Sequence, residues 1–584
     1  MGSQLFFISS QKPWPIFKSE QIRAIEKQAL LELGNNGLMQ RAGLAIAKYI
    51  ESIKDKMQST QPKIIFLVGP GNNGGDALQA IRHLSPDHWR CHIVCPMLPV
   101  DFSNYLNNHA EKKDSDVNIP IQDFVTSSCF PDRSHLSQTN TQLLQSIASL
   151  VQGISSDVDK ALLLEAEIIV DGLFGIGLKR PLDSTFQALI QKVNRYSNRS
   201  TVLALDIPSG LNADTGQSMD HQAVIQADVT LTFIALKPGL FTGKARDYVG
   251  DVFLASLGIT AGLNDDVRNL ISNTQQYLEI GPAFNYQMNT IQLNSPSLFI
   301  KTIPPRLASA HKGDYGTLAI VGGSQGMSGA AILAARAGLL CGAGRVNAIL
   351  LAQSIAAYDF MYPEIMIKSG HQPNSTILKQ CRANVYVIGP GLGREEQAEK
   401  WLDLLLLQSK PTVIDADGLI MLKKAEQKWL AFLANQANNR QWILTPHPGE
   451  AAYLLNCSID EIENNRMQAA LKLAKIWQAT VILKGSGTII AREISQENNK
   501  YQLQFVINPT GNVGLASGGS GDTLAGVIGS LLAQGMLTFE AALAAVFWHG
   551  QAAENLTKMG IGPIGLAASE LPYEIRRIRN QTSL

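Results

Sequence analysis

The sequence predicts two α/β domains in series. Two blocks of the chain share one rhythm, in which a short apolar run is followed by a glycine-rich turn and then by a helical pattern. Strands that alternate with helices pair in parallel through crossovers and build an open sheet with helices on both faces. A weakly patterned stretch separates the blocks. We therefore expect a three-layer α/β architecture twice in one chain.

Composition narrows the class of protein. The 584 residues include 49 Lys and Arg and 49 Asp and Glu, so the formal net charge is zero. An apolar content of 45% can fill more than one core, whereas zero net charge offers no basic excess for nucleic acid. The longest apolar run without charges, residues 523–539, is interrupted by glycines, and a spanning helix needs about 20 apolar residues. We expect a buried helix there, and neither nucleic acid nor a membrane as a partner.

Cysteine usage and the N-terminus indicate the compartment. The six cysteines are scattered and include no Cys-x-x-Cys pair of the kind zinc sites use. Residues 1–17 have no basic start before an apolar run, so they do not resemble a signal peptide. We expect buried free thiols and a cytoplasmic protein.

The first block, residues 14–263, carries five candidate strands in parallel order. Residues 101–159 are rich in Ser, Asn and Gln and lose clear periodicity, so they are interpreted as a surface insertion. The candidate strands are Lys63–Val68, 92–95, 167–170, 202–205 and 228–234.

The second block, residues 304–580, repeats the pattern after a proline-containing linker at 264–303. Helical patterns are clearest at 330–340 and 450–455. Its candidate strands are 316–321, Val385–Ile388, Thr412–Ile414, 442–445 and 481–483.

A glycine-rich turn follows the first strand. Gly69, Gly71 and Gly74 satisfy the pattern G-x-G-x-x-G, in which amides at a helix N-terminus approach a pyrophosphate. A dehydrogenase should also carry an acidic residue about 20 positions on, to bind a ribose hydroxyl. The sequence there reads HIVCPMLP, so a dehydrogenase is disfavoured.

Polar residues instead follow three neighbouring strands. Asp171 and Asp206 each end a strand, and open α/β sheets bind ligands at that edge. Asn73 and Ser209 add neutral oxygens, and hard oxygens with little charge suit a monovalent cation. Each aspartate alone is also compatible with capping a turn.

These strings resemble the N-terminal domain of NAD(P)H-hydrate epimerases over residues 21–259, chiefly through GPGNNGGD and DIPSGLNADTG, with Asn212 where that family more often has Asp. The resemblance implies a Rossmann-like sheet, interconversion of the R and S hydrates of NADH or NADPH, and Asp206 as the acid/base at the substrate. It implies potassium at Asn73, Asp171 and Ser209. The substrate contacts that it implies are Asn72, Asn73, Gly74, Gly75, Asp76, Gly175, Ile176, Gly177, Leu178, Lys179, Arg180, Pro181 and Asp206.

The second block contains a glycine run that ends in an acid. The run GGSGD precedes the apolar stretch, and glycines before a helix form an anion site from backbone amides and the helix dipole. Asp522 at that site can accept a proton from a hydroxyl as the hydroxyl attacks a phosphoryl group. The run is also compatible with a tight turn capped by an aspartate. Lys484 follows a strand, and His447 lies between two prolines.

This block resembles the ribokinase-like fold and, within it, NAD(P)H-hydrate dehydratases over residues 304–578, through HKGDYG, VGGSQGMSGAA, GPGLGR, LTPHPGEAAYL, LKGSGT and GGSGD. The resemblance implies that ADP phosphorylates the S hydrate and that phosphate then leaves, with magnesium as the phosphate counter-ion. The fusion favours ADP over ATP. The residues that it implies are Ala330, Gly391, His447 and Asp522 for the hydrate, and Lys484, Gly485, Ser486, Gly487, Thr488 and Gly521 for the nucleotide.

Two other hypotheses remain open at this point. The C-terminal block also fits a small-molecule kinase of the same fold, because such kinases share the aspartate and the anion site. The N-terminal block also fits a binding module without activity, although Asp76, Asp171 and Asp206 are all present. Small molecules are the expected partners, and the sequence leaves homo-oligomerisation undecided.

Overall fold

The computed structural model divides the chain into two compact units. One unit contains residues 1–8 and 15–284, and the other contains residues 9–14 and 285–584. The residues that the structure describes are 5–33, 37–98, 138–219, 223–259, 290–435, 441–496 and 500–582.

The N-terminal unit alternates strands and helices. Its strands are β1 (Leu5–Phe7), β2 (Pro15–Ile16), β3 (Lys63–Val68), β4 (Arg90–Val94), β5 (Gly153–Ser155), β6 (Ile168–Gly172), β7 (Thr201–Leu205), β8 (Val229–Phe233) and β9 (Asp251–Ala255). Its helices are α1 (Ser19–Leu33), α2 (Gly37–Ser52), α3 (Asn72–Ile81), α4 (Gln138–Ile147), α5 (Lys160–Glu165) and α6 (Ser184–Tyr196).

Its sheet has a switch point at β3. The strand order is β1-β9-β8-β7-β6-β3-β4-β5, and every pair is parallel except β1 with β9. The chain runs outward from β3 to β5 and then returns to β6 on the other side of β3. Open sheets bind ligands outside the carboxyl ends of strands at such a point. The turn after β3 and the end of β6 therefore face one crevice.

Apolar side chains cover both faces of this sheet. Helices α1 to α4 supply one buried cluster, which includes Ile46, Leu78 and Leu144. Helices α5 and α6 supply the cluster on the opposite face, which includes Leu163 and Ile190. Two helical layers around one sheet form the predicted Rossmann-like arrangement.

The C-terminal unit repeats the plan with more elements. Its strands are β10 (Thr290–Leu293), β11 (Thr317–Gly322), β12 (Arg345–Leu350), β13 (Met366–Ser369), β14 (Val385–Ile388), β15 (Thr412–Ile414), β16 (Trp442–Leu444), β17 (Thr480–Leu483), β18 (Ile489–Gln496) and β19 (Lys500–Ile507). Its helices are α7 (Ser328–Leu340), α8 (Ser375–Cys381), α9 (Glu396–Leu406), α10 (Asp417–Lys424), α11 (Glu426–Ala434), α12 (Pro448–Leu455), α13 (Ile459–Asn464), α14 (Arg466–Trp477), α15 (Ser520–Ala533), α16 (Thr538–Lys558) and α17 (Leu571–Thr582).

The second sheet also has a switch point, at β11. Its order runs β13-β12-β11-β14-β15-β16-β17-β18-β19-β10. Strands β11 to β17 pair in parallel, whereas β18 is antiparallel to both β17 and β19. The chain leaves β11 towards β13 and returns to β14, so the loops after β11 and β14 meet at the ligand-binding edge. Helices α7, α15, α16 and α17 bury a large apolar cluster against one face.

The structure corrects the long buried helix expected at residues 523–539. Helix α15 ends at Ala533, Gly535 adopts a left-handed φ of +97°, and α16 starts at Thr538. The left-handed glycine terminates the helix because it turns the chain after the last helical carbonyls. No helix among the described residues has both the length and the apolarity to cross a membrane.

Two predicted segments fall partly outside the described residues. Of the insertion at 101–159, residues 138–159 form α4, a short turn and β5, and residues 101–137 lie outside. Of the linker at 264–303, residues 290–303 form β10 and two short 3-10 turns, and the rest lies outside.

Candidate active sites

The glycine-rich turn after β3 packs directly against the loop after β6. A Cβ atom on Gly69 would lie 1.7 Å from the carbonyl oxygen of Leu173, so only glycine fits there. Asn73 is buried at the start of α3, and its Nδ2 donates to the carbonyls of Phe174 and Leu205, each at 3.0 Å. Asn73 thus connects the ends of β3, β6 and β7.

Asp171 and Ser209 form a buried oxygen cluster beside Asn73. The Ser209 hydroxyl donates to Asp171 Oδ1 at 2.7 Å, and the Ser209 amide donates to Oδ2 at 2.8 Å. Burial raises the pKa of Asp171 to about 6, although the Ser209 hydrogen bonds oppose that shift. No lysine or arginine within the described ranges forms a salt bridge with Asp171. A buried carboxylate among neutral oxygens, without a paired side-chain cation, suits a bound monovalent cation.

Asp206 is held by a lysine that is completely buried. The Lys237 ammonium donates to Asp206 Oδ1, to Thr232 Oγ1 at 2.7 Å and to the Phe233 carbonyl at 3.0 Å. Asp206 has a φ of +67°, which is rare for a residue with a side chain and is often found at functional sites. Its Oδ2 lies 3.3 Å from the position of a Cβ on Gly175. That oxygen therefore faces the predicted substrate loop.

Two further carboxyl groups face Asp206. Burial raises the pKa of Asp76 well above its usual range, and the negative charges of Asp206 and Glu26 raise it further. Burial and the charge of Asp206 also raise the pKa of Glu26, on α1. The guanidinium of Arg23, one turn before Glu26, donates to the Ile176 carbonyl at 3.1 Å and joins α1 to the substrate loop. The crevice thus combines an ion-paired carboxylate with two carboxyl groups whose pKa values are raised.

The other predicted epimerase contacts lie around the same crevice. Gly74 and Gly75 are buried in the first turn of α3, whereas Asn72 is exposed at its start. Ile176 and Leu178 are half-buried. The exposed members of the loop are Gly177, Lys179, Arg180 and Pro181.

In the C-terminal unit, the glycine run forms the N-terminus of α15. Gly519 caps the helix with a φ of +89°, and Asp522 lies in the first turn. The first amides of a helix have no partners within the helix and attract anions. The buried ring of His549 donates from Nε2 to the Ser520 carbonyl at 3.1 Å. Burial lowers the pKa of His549 to about 4, so the ring that supports this turn stays neutral.

A buried charge cluster lies next to Asp522. The Lys484 ammonium is 2.8 Å from Asp415 Oδ1 and 3.8 Å from Glu450 Oε2. Burial raises the pKa of Asp522 to about 6, and Asp415 adds to the shift while Lys484 opposes it. A Cβ on Gly521 would lie 3.3 Å from the Lys484 ammonium, so the two predicted nucleotide segments are adjacent.

A buried arginine holds the start of the predicted nucleotide loop, residues 484–488, through hydrogen bonds. The buried guanidinium of Arg466 donates to the carbonyls of Lys484 at 3.0 Å and Leu483 at 3.3 Å. In the rest of the loop, Gly485 and Ser486 are exposed, Gly487 is buried and Thr488 is half-buried. The loop presents its outer backbone and hydroxyl groups from a rigid base.

The four predicted hydrate contacts line one cavity of about 650 Å³. They are Ala330, Gly391, His447 and Asp522. Gly391 has a φ of +59°, and a Cβ there would lie 2.5 Å from the Met327 carbonyl, so glycine is required where the loops after β11 and β14 meet. The structure thus brings together residues that are far apart in the chain.

His447 has a structural role that is visible in its contacts. Its Nδ1 accepts from the amides of Gly449 at 3.0 Å and Glu450 at 3.3 Å, which caps α12. The Glu450 carboxylate in turn accepts a hydrogen bond from the backbone amide of His447. The side chain is 56% exposed and its other nitrogen is 3.4 Å from Glu450 Oε1, so the ring is both a cap and part of the cavity wall.

Comparison with known proteins identifies the family. Residues 318–576 match the family described as NAD(P)H-hydrate dehydratase, and residues 35–239 match the family described as YjeF-related protein N-terminus. The bifunctional NAD(P)H-hydrate repair enzyme of Coxiella burnetii is 31% identical over 97% of this chain and 99% of its own. That of Escherichia coli K12 is 38% identical over 71% of this chain and 72% of its own. The chain belongs to the bifunctional NAD(P)H-hydrate repair enzymes.

A solved structure is also similar to part of this repair enzyme. It is the ADP/ATP-dependent NAD(P)H-hydrate dehydratase of Bacillus subtilis co-crystallised with ATP and Mg²⁺, with 28% identity, a TM-score of 0.39, and coverage of 48% of this chain and 95% of that chain.

Four residues at the two candidate sites of this repair enzyme are not predicted as site residues from the sequence. Glu26 lies before residue 35, where the N-terminal family match starts, and a lone Glu on an amphipathic helix gives no signal. Lys237 lies in the loop after β8 and Asp415 directly follows β15, and neither position by itself predicts the ion pair that the structure shows. His549 lies within α16, with no motif around it. Only the folded structure shows that these four residues lie at the candidate sites.

Proposed function

We propose that the N-terminal unit interconverts the R and S hydrates of NADH and NADPH, and that the C-terminal unit dehydrates the S form at the expense of ADP. The observation that carries the proposal is the cavity that Ala330, Gly391, His447 and Asp522 share at the switch point of the second sheet. The oxygen cluster and the Asp206–Lys237 pair at the switch point of the first sheet support the epimerase half.

In the dehydratase reaction, Asp522 acts as the base. Its carboxylate takes the proton of the 6-hydroxyl while that oxygen attacks the β-phosphorus of ADP, and AMP leaves. The amides at the start of α15 and the Lys484 ammonium stabilise the charge on the transferred group. The ring nitrogen then expels phosphate from C6, and loss of a proton from C5 restores the dihydronicotinamide. A pKa of about 6 leaves Asp522 ionised near neutral pH.

In the epimerase reaction, C6 has to become planar before water returns. A carboxyl group protonates the departing 6-hydroxyl, and water then adds to the opposite face of C6 while a carboxylate removes its proton. Asp206, ion-paired through Oδ1 with Oδ2 facing the crevice, serves as the base. Asp76, whose pKa is raised, suits the acid.

Two ions belong to the proposal. Potassium would be held by Asn73, Asp171 and Ser209, whose donor set is neutral oxygens around one buried carboxylate. It would supply positive charge that fixes these loops next to the substrate. Magnesium would accompany ADP, and among the described residues no cluster of three His, Cys, Asp or Glu side chains is arranged to hold it. The proposed setting is the cytoplasm, with small molecules as partners.

The test uses purified S and R hydrates. S hydrate with ADP and Mg²⁺ should recover the dihydronicotinamide absorbance and release AMP and phosphate. R hydrate should recover at a rate that depends on the N-terminal unit. Absence of recovery from S hydrate, together with phosphorylation of a sugar or hydroxymethylpyrimidine, would replace the dehydratase with the kinase hypothesis.

A further inference from the structure

One cationic side chain at the dehydratase cavity has no role in the mechanism above. Arg394 lines the cavity together with Asp417, His447, Glu450 and Asp522. Three of these neighbours are carboxylic acids, so the cavity wall is rich in negative charge. A substrate that carries a diphosphate needs a positive partner to enter such a cavity.

A hydrogen bond from its Nε atom fixes the orientation of the Arg394 guanidinium. Its Nε donates to Asp417 Oδ1 at 3.1 Å, while Asp417 Oδ2 accepts from the Gly393 amide at 3.1 Å. Asp417 is only 17% exposed, whereas the Arg394 side chain is 67% exposed. The half-buried acid thus orients a guanidinium whose outer part reaches solvent at the cavity. A guanidinium fork suits two oxygens of one phosphate group.

Its position also indicates which phosphates it meets. Arg394 follows the glycine loop after β14 and shares the cavity with all four predicted hydrate contacts. The predicted nucleotide loop, residues 484–488, follows β17 and does not line that cavity. Strands β15 and β16 lie between β14 and β17 in the sheet.

We propose that Arg394, oriented by Asp417, binds the diphosphate of the dinucleotide hydrate and so sets the affinity of the dehydratase site for dinucleotides. The proposal rests on the dehydratase function proposed above. It adds a binding residue for the diphosphate that links the two halves of the substrate, away from the reacting C6. Because the proposed contact is with the diphosphate and not with the reacting hydroxyl or with ADP, Arg394 should act on binding of the hydrate in ground state and transition state alike.

The experiment compares two substrates that differ in the diphosphate. Arg394→Gln and Arg394→Lys are assayed with the S hydrates of NADH and of reduced nicotinamide riboside, which has no phosphate. With the NADH hydrate, Arg394→Gln should raise KM by about 10- to 100-fold, the range of a charge-assisted hydrogen bond, with kcat and the KM for ADP unchanged. Arg394→Lys should fall between wild type and Arg394→Gln. With the riboside hydrate, all three proteins should be equal.

Direct binding gives a second readout. The dissociation constant of the NADH hydrate, measured by calorimetry without ADP, should rise with KM, and that of the riboside hydrate at millimolar concentration should not. Lys400→Gln is the matched control, because Lys400 is an exposed cation on α9 that pairs with Glu396 at 2.7 Å and should leave every constant unchanged. Thermal melting verifies that each variant is folded.

The outcomes separate the two levels of the proposal. Equal losses with both substrates would mean that Arg394 only braces the loop, and an unchanged KM would mean that it binds nothing; either result overturns the inference. A rise confined to the KM for ADP would assign Arg394 to the nucleotide instead. If wild type fails to dehydrate the S hydrate at all, the proposed function itself fails.

Discussion

The ammonium of Lys484 lies 2.8 Å from Oδ1 of Asp415, and Thr445 donates to the same oxygen at 2.6 Å. The lysine that the sequence assigns to nucleotide phosphates is therefore already paired with a buried carboxylate. It also faces Glu450 and Asp522, so one positive charge serves three acids. Its charge lowers the pKa of the proposed base Asp522, in addition to the phosphate binding proposed for it.

The dehydratase should lose activity in acid. Burial and the charge of Asp415 raise the pKa of Asp522 to about 6. The base acts in its ionised form, so kcat/KM should increase as pH rises through about 6 and level off above it, and should be about tenfold lower at pH 5. A profile of kcat/KM against pH with S hydrate and ADP measures this midpoint. A flat profile between pH 5 and 8 would exclude Asp522 as the base.

Replacing Lys484 should move that midpoint upward. Lys484 lowers the pKa of Asp522, so Lys484→Met removes the opposing charge and the acid limb should shift to higher pH. The KM for ADP should rise as well, because the cation near Gly521 is lost. Lys472→Met, an exposed lysine on α14, is the control and should leave the profile unchanged. A rise in KM without a shift of the limb would mean that Lys484 acts on phosphate alone.

Asp522→Asn should separate the two activities. The amide keeps the shape of the side chain but cannot accept the proton, so the dehydratase rate should fall by about 10²- to 10⁴-fold. Epimerisation of R to S hydrate should continue at the wild-type rate. Chromatography of the two hydrates and phosphate release measure both activities in one sample. A dehydratase rate close to wild type would show that another group is the base.

Asp206→Asn should abolish epimerisation and spare dehydration of pure S hydrate. Asparagine tolerates the left-handed φ of this position, but it leaves the buried Lys237 charge without its partner, which costs about 3–5 kcal/mol. The double variant Asp206→Asn/Lys237→Met removes that charge. It should melt at a higher temperature than the single variant and remain inactive as an epimerase. Recovery of epimerisation in the double variant would contradict the assignment of Asp206.

Potassium should stabilise the N-terminal unit through Asp171. Exchange of potassium for choline should lower both the epimerase rate and the melting temperature of wild type, because an ion that binds only the folded state stabilises it. In Asp171→Asn, neither the epimerase rate nor the melting temperature should respond to this exchange. Dehydration of S hydrate is the internal control. An equal response of the variant would locate the potassium effect elsewhere.

Much of the fold and part of the sites are predictable from the sequence. The glycine-rich turns that end strands and start helices are formed by neighbouring residues, so their pattern is visible in the sequence. Strands Val385–Ile388 and Thr412–Ile414 have the predicted ends, since buried parallel strands are continuous apolar runs between turn residues. The sequence does not predict the hairpin of β18 and β19, because its partly polar strands resemble surface segments. The pairs Asp206–Lys237 and Asp415–Lys484 join residues 31 and 69 positions apart, a separation that no local pattern encodes.

The short segment at residues 9–14 has a practical consequence for splitting the gene. It groups with the C-terminal unit, where the carbonyl of Trp14 accepts from the amide of Leu293. A dehydratase unit expressed from residue 285 onward would therefore lack residues 9–14, which belong to the same compact unit in the full chain. Supplying residues 9–14 as a separate peptide, or grafting them onto the new N-terminus, would restore that missing hydrogen-bond acceptor.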